Sequence, residues 1–458
     1  MVGLVHTPVI LLIDIDGTLI LTGGAGRRAL ALAFGELYER PDACNEIRFG
    51  GMTDHLIVKA AFERIGAGYS DAAAQALFDC YLGHLRTEVA ASDYQIMPGA
   101  VEFVQAITAV SGIAVGLGTG NIEAGARVKL SRGELSAPFS FGGFGSDAVL
   151  RADVIGAGLE RGRALLGVAD CPAMIVGDTP KDVSAAHANG ARCVAVATGG
   201  YGVAELRASG ADFVFSDLTQ PGVLAATLDR APVDGDELRA IIDASPLLSA
   251  LHAVVVAGED GDPAHDRGHL YRVALWAARL YEAQERRATI VDILAAALLH
   301  DIVNVPKSSP DRARASELCA ERSRELLAEQ GVHGARLDRI CDAVRDHSFS
   351  RGAIPNSALG KSLQDADRLE ALGAIGIART FATSVRLNSV FIHPDDPWGS
   401  ARELDDNAFA VDHFFTKLLT LHETFHTEQA REEGHRRARR LSTFLDWFGD
   451  EVGAPRPR

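Results

Sequence analysis

Three short strings in the first half of the chain carry side chains able to hold a cation or an anionic group. They are Asp14-Ile15-Asp16-Gly17-Thr18, Thr119-Gly120-Asn121 and Gly177-Asp178-Thr179-Pro180-Lys181-Asp182. Side chains alternate along an extended chain, so Asp14 and Asp16 leave their strand on the same side. Two such carboxylates repel unless a cation lies beside them, and an all-oxygen pair suits a hard ion such as Mg²⁺. The Thr119 hydroxyl and the backbone amides of Gly120 and Asn121, where a helix opens, can bind anionic oxygens. Asp178 can complete the cation site, and Asp182 can orient it or bind through water.

The second half offers a different donor set. His265-Asp266-Arg267-Gly268-His269 begins one helical stretch, His300-Asp301 ends the next, and Gln364-Asp365-Ala366-Asp367-Arg368-Leu369 lies in a third. Two neutral imidazoles with carboxylates from three helices make a mixed nitrogen and oxygen site. Such a site suits Mn²⁺, Fe²⁺, Co²⁺, Ni²⁺ or Mg²⁺. His300-Asp301 follows the apolar run Ala295–Leu299, and an ionisable pair buried there is costly without a partner.

These strings need elements to position them. The runs Val9–Ile13, Ile113–Leu117, Ala173–Val176 and Cys193–Val196 read as buried strands, with helical patterns over Ala100–Ala109 and Asn121–Leu130 between them. Such alternation predicts an α/β unit with a parallel sheet and helices on both faces, whose carboxyl edge is the ligand edge. From Gly26 to Ala91 the pattern is helical only, which predicts a cap over that edge, spanning about 22–95. Thr22-Gly23-Gly24 and Arg48–Asp54 are its hinge and specificity loops, or ordinary glycine turns. The first domain is expected over 1–230 and a polar linker over 231–240. An all-α domain then follows over 241–458, where Leu270, Val273, Ala277 and Leu280 mark one apolar helix face. The Arg-rich stretch Arg431–Arg440 reads as a solvated helix face.

The chain has 458 residues, 47% hydrophobic and 23% charged, with a net charge of −16. That balance fits folded domains and disfavours a nucleic-acid polymer as main partner. Six scattered cysteines without a CxxC pair argue against a disulfide scaffold. Met1–Pro8 lacks signal-peptide features, and the longest apolar runs are too short to span a bilayer, so a cytoplasmic protein with no membrane partner is expected.

Over Pro8–Leu228 the three strand-end motifs resemble the haloacid dehalogenase superfamily of phosphatases, in its phosphoglycolate-phosphatase-like branch. The resemblance implies a Rossmann-like sheet with a helical cap, with Asp14 as nucleophile and Asp16 as general acid and base. It further implies that Thr119, with Gly120 and Asn121, binds phosphate, and that Asp14, the Asp16 carbonyl and Asp178 hold Mg²⁺. The family's usual Lys-Pro pair is absent, and either Lys129 or Arg151 supplies the charge-neutralising cation. From His252 to Phe448 the strings HDxxH, LLHDI, HSF and QDADRLEALGAIG resemble the HD-domain metal-dependent phosphohydrolases. That resemblance implies a divalent transition metal on His269, His300, Asp301 and Asp365. His265, Asp266, Lys307, His347, Asp367 and Arg368 become outer or phosphate-binding candidates. The whole reads as a bifunctional phosphohydrolase acting on small phosphorylated metabolites and nucleotides. Its alternatives are a regulatory nucleotide-binding second half or a phosphomutase first half; a homodimer stays open.

Overall fold

Val9–Ile13 is aliphatic throughout, as a strand covered on both faces must be, and it forms the central strand β1. In the computed structural model, which describes residues 8–258, 267–284, 288–305, 313–348 and 352–457, β1 pairs in parallel on both sides. After it come β2 (Ile20–Leu21), β3 (Gln95–Ile96), β4 (Ile113–Gly118), β5 (Gly142–Gly143), β6 (Ala173–Gly177), β7 (Arg192–Val196) and β8 (Phe213–Phe215). Six of them form one parallel sheet in the order β5-β4-β1-β6-β7-β8. The order reverses around β1, so the strand that delivers Asp14 sits at the switch point where ligands bind.

The remaining two strands pair antiparallel where the chain leaves the sheet and where it returns. Between them lie the cap helices α1 (Ala25–Tyr38), α2 (Asp54–Ile65) and α3 (Asp71–Ala91), with their own core around Phe34, Phe62 and Tyr81. The sheet is flanked by α4 (Ala100–Thr108), α5 (Glu123–Ser131), α6 (Arg151–Leu166), α7 (Pro180–Ala188), α8 (Val203–Ala208) and α9 (Val223–Leu228). Thr179 and Asp182 close a capping box at the start of α7.

The chain divides into two units: the first ends at Leu228 and also takes Asp243–Pro246, and the second takes Asp229–Ile242 and continues from Leu247. Residues 235–240 of the expected linker form the first turns of α10 (Gly235–Ala244), with Leu238 fully buried. There follow α11 (Pro246–Ala257), α12 (Arg267–Glu282), α13 (Ile290–Leu299), α14 (Ala315–Glu329), α15 (Gly334–Asp346), α16 (Ala358–Leu369), α17 (Gly373–Arg386) and α18 (Glu428–Glu451). In the second unit α12 and α15 pack on α16, and α13 packs on α12 and α15. Among the described residues no single helix is long and apolar enough to cross a membrane.

β5 passes so close to α6 that a Cβ on Gly143 would run into the Val154 carbonyl and the Gly158 nitrogen. Gly143→Val therefore overpacks this edge. We expect a loss of ~1–3 kcal/mol, read as a lower urea midpoint for the first unit.

Candidate active sites

At the carboxyl edge of the sheet, Asp14, Asp178 and Asp182 offer oxygens within 4.8 Å of one another. Arg151, at the start of α6, answers part of that charge. Its Nη2 lies 2.9 Å from Asp14 Oδ1 and 2.6 Å from Asp182 Oδ1, and donates to the Gly118 carbonyl. Asp182 is fully buried and also accepts from the Thr179 amide and hydroxyl, so it braces Arg151 from below. Lys129, on α5, takes the other carboxylate: its Nζ donates to both Asp16 oxygens, at 2.9 and 2.7 Å, and to Asn121 Oδ1 at 2.6 Å. Asn121 Nδ2 in turn donates to Asp16 Oδ2 and Thr119 Oγ1. Both rival cations thus enter the site, at different carboxylates.

These groups floor a cavity of about 370 Å³ whose opposite wall comes from the cap, through Thr22–Gly24, Arg27 and Phe49–Met52. Both glycine loops expected as hinge and specificity segments line it. Arg27 stacks on Phe49 at 3.9 Å and donates to the Cys44 and Ile47 carbonyls, which fixes the loop between them. Sequence reasoning gave no individual part to Asp54. Its amide donates to the Gly120 carbonyl and its carboxylate accepts from Ile122 N at 2.8 Å, tying the cap to the Thr119-Gly120-Asn121 loop.

The electrostatics report an excess of negative charge. Burial pushes Asp14 up to about 6, opposed by Arg151 and reinforced by Asp182 and Asp16. Burial, then Asp182 and Asp14, push Asp178 up to about 9. Burial also raises Asp16, but Lys129 and Asn121 more than reverse it, leaving its carboxyl below the ordinary range. Two carboxyls that resist ionisation beside each other, with oxygen donors only, fit a hard divalent ion.

In the second unit His269, on α12, His300, at the end of α13, and Asp367, on α16, offer ligand atoms within 4.8 Å of one another. His269 Nε2 lies 3.3 Å from His300 Nε2, 3.8 Å from Asp301 Oδ2 and 3.6 Å from Asp367 Oδ1. His300 Nε2 lies 3.4 Å from Asp301 Oδ2, and His347 Nε2 lies 3.6 Å from Asp301 Oδ1. Both His300 and His347 place Nδ1 on a carbonyl three residues back, Ala297 and Val344, which can only accept. Their Nδ1 therefore carries the proton, and in the neutral rings both Nε2 lone pairs face Asp301. Burial lowers the pKa of His300. Burial also opposes charge on His269, but bonds to Asp301 and Glu370 outweigh it and raise it to about 9. Imidazole lone pairs and carboxylates converging on one point fit a divalent transition ion.

The expectation for Asp365 needs correction. Its carboxylate is fully buried away from the histidines and accepts from the His426 amide and from the Thr427 amide and hydroxyl, where α18 begins. Asp367 stands in its place beside His269. Arg368 Nη1 donates to the Thr424 carbonyl. His265, Asp266 and Lys307 lie outside the described residues. Glu370, Arg272 and Arg379, which the sequence did not single out, surround the outer side of His269.

A capped parallel sheet with three strand-end acidic motifs and a helical bundle with a His-Asp cluster define two hydrolase classes. The haloacid dehalogenase-like hydrolase model matches residues 9–190 and the HD domain model residues 267–372; the chain belongs to both families, as a fusion of a haloacid dehalogenase-like hydrolase unit and an HD-domain unit. Phosphoglycolate phosphatase of Rhodospirillum rubrum is 31% identical over 221 residues, covering 47% of this chain and 90% of that protein. YpgQ of Bacillus subtilis strain 168, an uncharacterized protein, is 32% identical over 191 residues, covering 41% of this chain and 83% of that protein. The crystal structure of YpgQ in complex with ADP is 27% identical, with a TM-score of 0.34, and covers 44% of this chain and 97% of that one.

The two carboxylates of α16 separate by experiment. Asp367→Ala should lower the bound transition metal, measured by elemental analysis, with little change in melting temperature. Asp365→Ala should leave metal content unchanged but strand buried donors at the start of α18. That loss costs ~1–3 kcal/mol and appears as a lower melting temperature.

Proposed function

We propose that the first unit hydrolyses a small phosphomonoester through an aspartyl-phosphate on Asp14. Support comes chiefly from one observation: Asp14, Asp16, Thr119, Lys129 and Arg151 meet at the floor of a cavity closed by the cap. When bound between Asp14, the Asp16 carbonyl and Asp178, Mg²⁺ supplies charge neutralisation. Asp14 attacks phosphorus in line with the departing alkoxide, while Thr119 and the Gly120 and Asn121 amides hold the equatorial oxygens. Arg151 and Lys129 offset the negative charge that builds up on the phosphoryl oxygens. Asp16 is ionised at rest because Lys129 holds it. An arriving phosphomonoester monoanion competes for that ammonium and brings a proton of its own, which Asp16 takes up and passes to the leaving oxygen.

The cap side of the cavity narrows the substrate. Arg27 is the cation the cap contributes among the described lining residues, and its guanidinium is engaged by two carbonyls and a ring face. Asp54 and Asp93 line the same wall. Neutral leaving groups, as in sugar phosphates and nucleoside monophosphates, therefore rank above the carboxylated phosphoglycolate.

The second unit, in this proposal, hydrolyses a phosphoester or phosphoanhydride of a nucleotide. A divalent transition ion on His269, His300, Asp301 and Asp367, when bound, supplies an acidified water. The inward-facing His347 stands next to Asp301, where it can donate to a phosphate oxygen or accept a proton. Whether this half turns over substrate or only binds it is decided by steady-state assays with ADP and other nucleotides.

In a background carrying His300→Ala and Asp301→Ala, Asp14→Asn should cut phosphatase turnover by at least ~10³-fold with the fold intact. Asp16→Asn should cost most on poor leaving groups. A panel of sugar phosphates, nucleoside monophosphates and phosphoglycolate with Mg²⁺ measures both. Retained turnover in Asp14→Asn would refute the covalent route, and a phosphorylated isomer among the products would indicate a mutase.

A further inference from the structure

Glu370 is a carboxylate at 2% exposure, one residue past the end of α16 and three past Asp367. Burying such a charge is costly without partners, and it has three. Arg272 Nε donates to it at 2.7 Å, Arg379 Nη1 lies 3.8 Å away, and His269 Nδ1 lies 3.5 Å away, all at the same oxygen, Oε2. Arg379 Nη1 also lies 2.8 Å from His269 Nδ1. One ring nitrogen therefore faces two partners of opposite kind.

A guanidinium only donates and an ionised carboxylate only accepts. A neutral His269 that accepts from Arg379 at Nδ1 must carry its proton on Nε2, the nitrogen turned toward His300, Asp301 and Asp367. A neutral His269 that donates from Nδ1 to Glu370 has its Nε2 lone pair free for a cation. The two arrangements exclude each other. Carboxylate partners of this kind fix the orientation and basicity of a ligating imidazole, and their loss typically costs ~10–100-fold in metal affinity. The Arg379 guanidinium, in contrast, adds positive charge beside the cation site as well as claiming the wrong tautomer.

We propose that Glu370 is a positioning residue that sets His269 for metal binding, and that Arg379 opposes it by competing for the same nitrogen. The proposal rests on the reading of His269, His300, Asp301 and Asp367 as a cation site, and adds a device that tunes its affinity. Arg272 keeps Glu370 charged and in place whichever tautomer His269 adopts.

Metal affinity of the full chain, measured by calorimetry with Mn²⁺ alone and then Co²⁺ alone, tests it. Circular dichroism and thermal melting check the fold of each variant. Asp14→Asn with Asp178→Asn is carried throughout, so that the first unit's ligands do not contribute. Glu370→Gln should weaken binding ~10–100-fold. Arg379→Met should strengthen it several-fold, and Glu370→Asp should recover part of the loss. General damage to the bundle would weaken binding in both variants, so opposite signs support the assignment and parallel losses overturn it. Unchanged affinity in Glu370→Gln, against a parent that binds, also overturns it. A parent that binds neither ion would overturn the cation site itself, and this inference with it.

Discussion

Three carboxylates within 4.8 Å of one another at the edge of a sheet, and two imidazole nitrogens 3.3 Å apart inside a helical bundle, share one requirement. Each arrangement brings together groups that repel, or whose lone pairs face each other, in places where water cannot screen them. Cations are the condition for both. In the first unit part of that charge is built in, through Arg151 between Asp14 and Asp182 and through Lys129 on Asp16. Enough remains to hold Asp14 and Asp178 above the ordinary carboxylate range. In the second unit a proton on His269 plays the same part, raised to about 9 by the carboxylates around it. The surrounding fold can be understood as what keeps these groups from moving apart.

The two units meet the requirement by different means. The sheet delivers its carboxylates from the ends of neighbouring strands, where the backbone ladder fixes positions before any side chain packs. Asp14 N donates to the Val176 carbonyl, one residue before Gly177-Asp178. Side chains placed by a hydrogen-bonded ladder cannot retreat without breaking it. The bundle has no such ladder between elements, so it fixes its ligands through side-chain bonds: His300 and His347 on backbone carbonyls of their own turns, and Glu370 on Arg272. The first site is rigid by topology and the second by its outer contacts.

This difference also explains what could be read in the sequence. Strand-end motifs are local, so Asp14, Asp16, Thr119, Asp178 and Asp182 were legible from aliphatic runs followed by polar turns. The roles of Lys129 and Arg151 were not, because each meets a carboxylate just past β1, more than 100 residues away, and only the folded chain assigns Lys129 to Asp16 and Arg151 to Asp14. The strand β5 is two glycines and escaped any propensity rule; β8 has only three residues. In the bundle the strings His300-Asp301 and Gln364–Leu369 were visible, but which aspartate faces the histidines was not. Two residues apart on a helix point to nearly opposite sides. Burial does separate them, Asp365 being fully buried and Asp367 half-buried, but it is the more exposed carboxylate that faces the histidines, so a search for the buried side selects Asp365.

The bonds that anchor α16 on either side give the helix a mechanical part. On one side Asp365 receives the His426 and Thr427 amides just before α18, and Gln364 bonds the Asp346 and Ala353 carbonyls and His426. Past its end Glu370 is clamped by Arg272, and between these anchors Asp367 reaches toward His269. A carboxylate held on a helix anchored on both flanks can neither rotate nor slide, so its distance to His269 and His300 is set by packing rather than by the ion. If this cluster holds a cation as proposed, a site so pre-formed would pay little ordering entropy on binding, and would discriminate among cations by how well they fit a fixed spacing rather than by adapting to each.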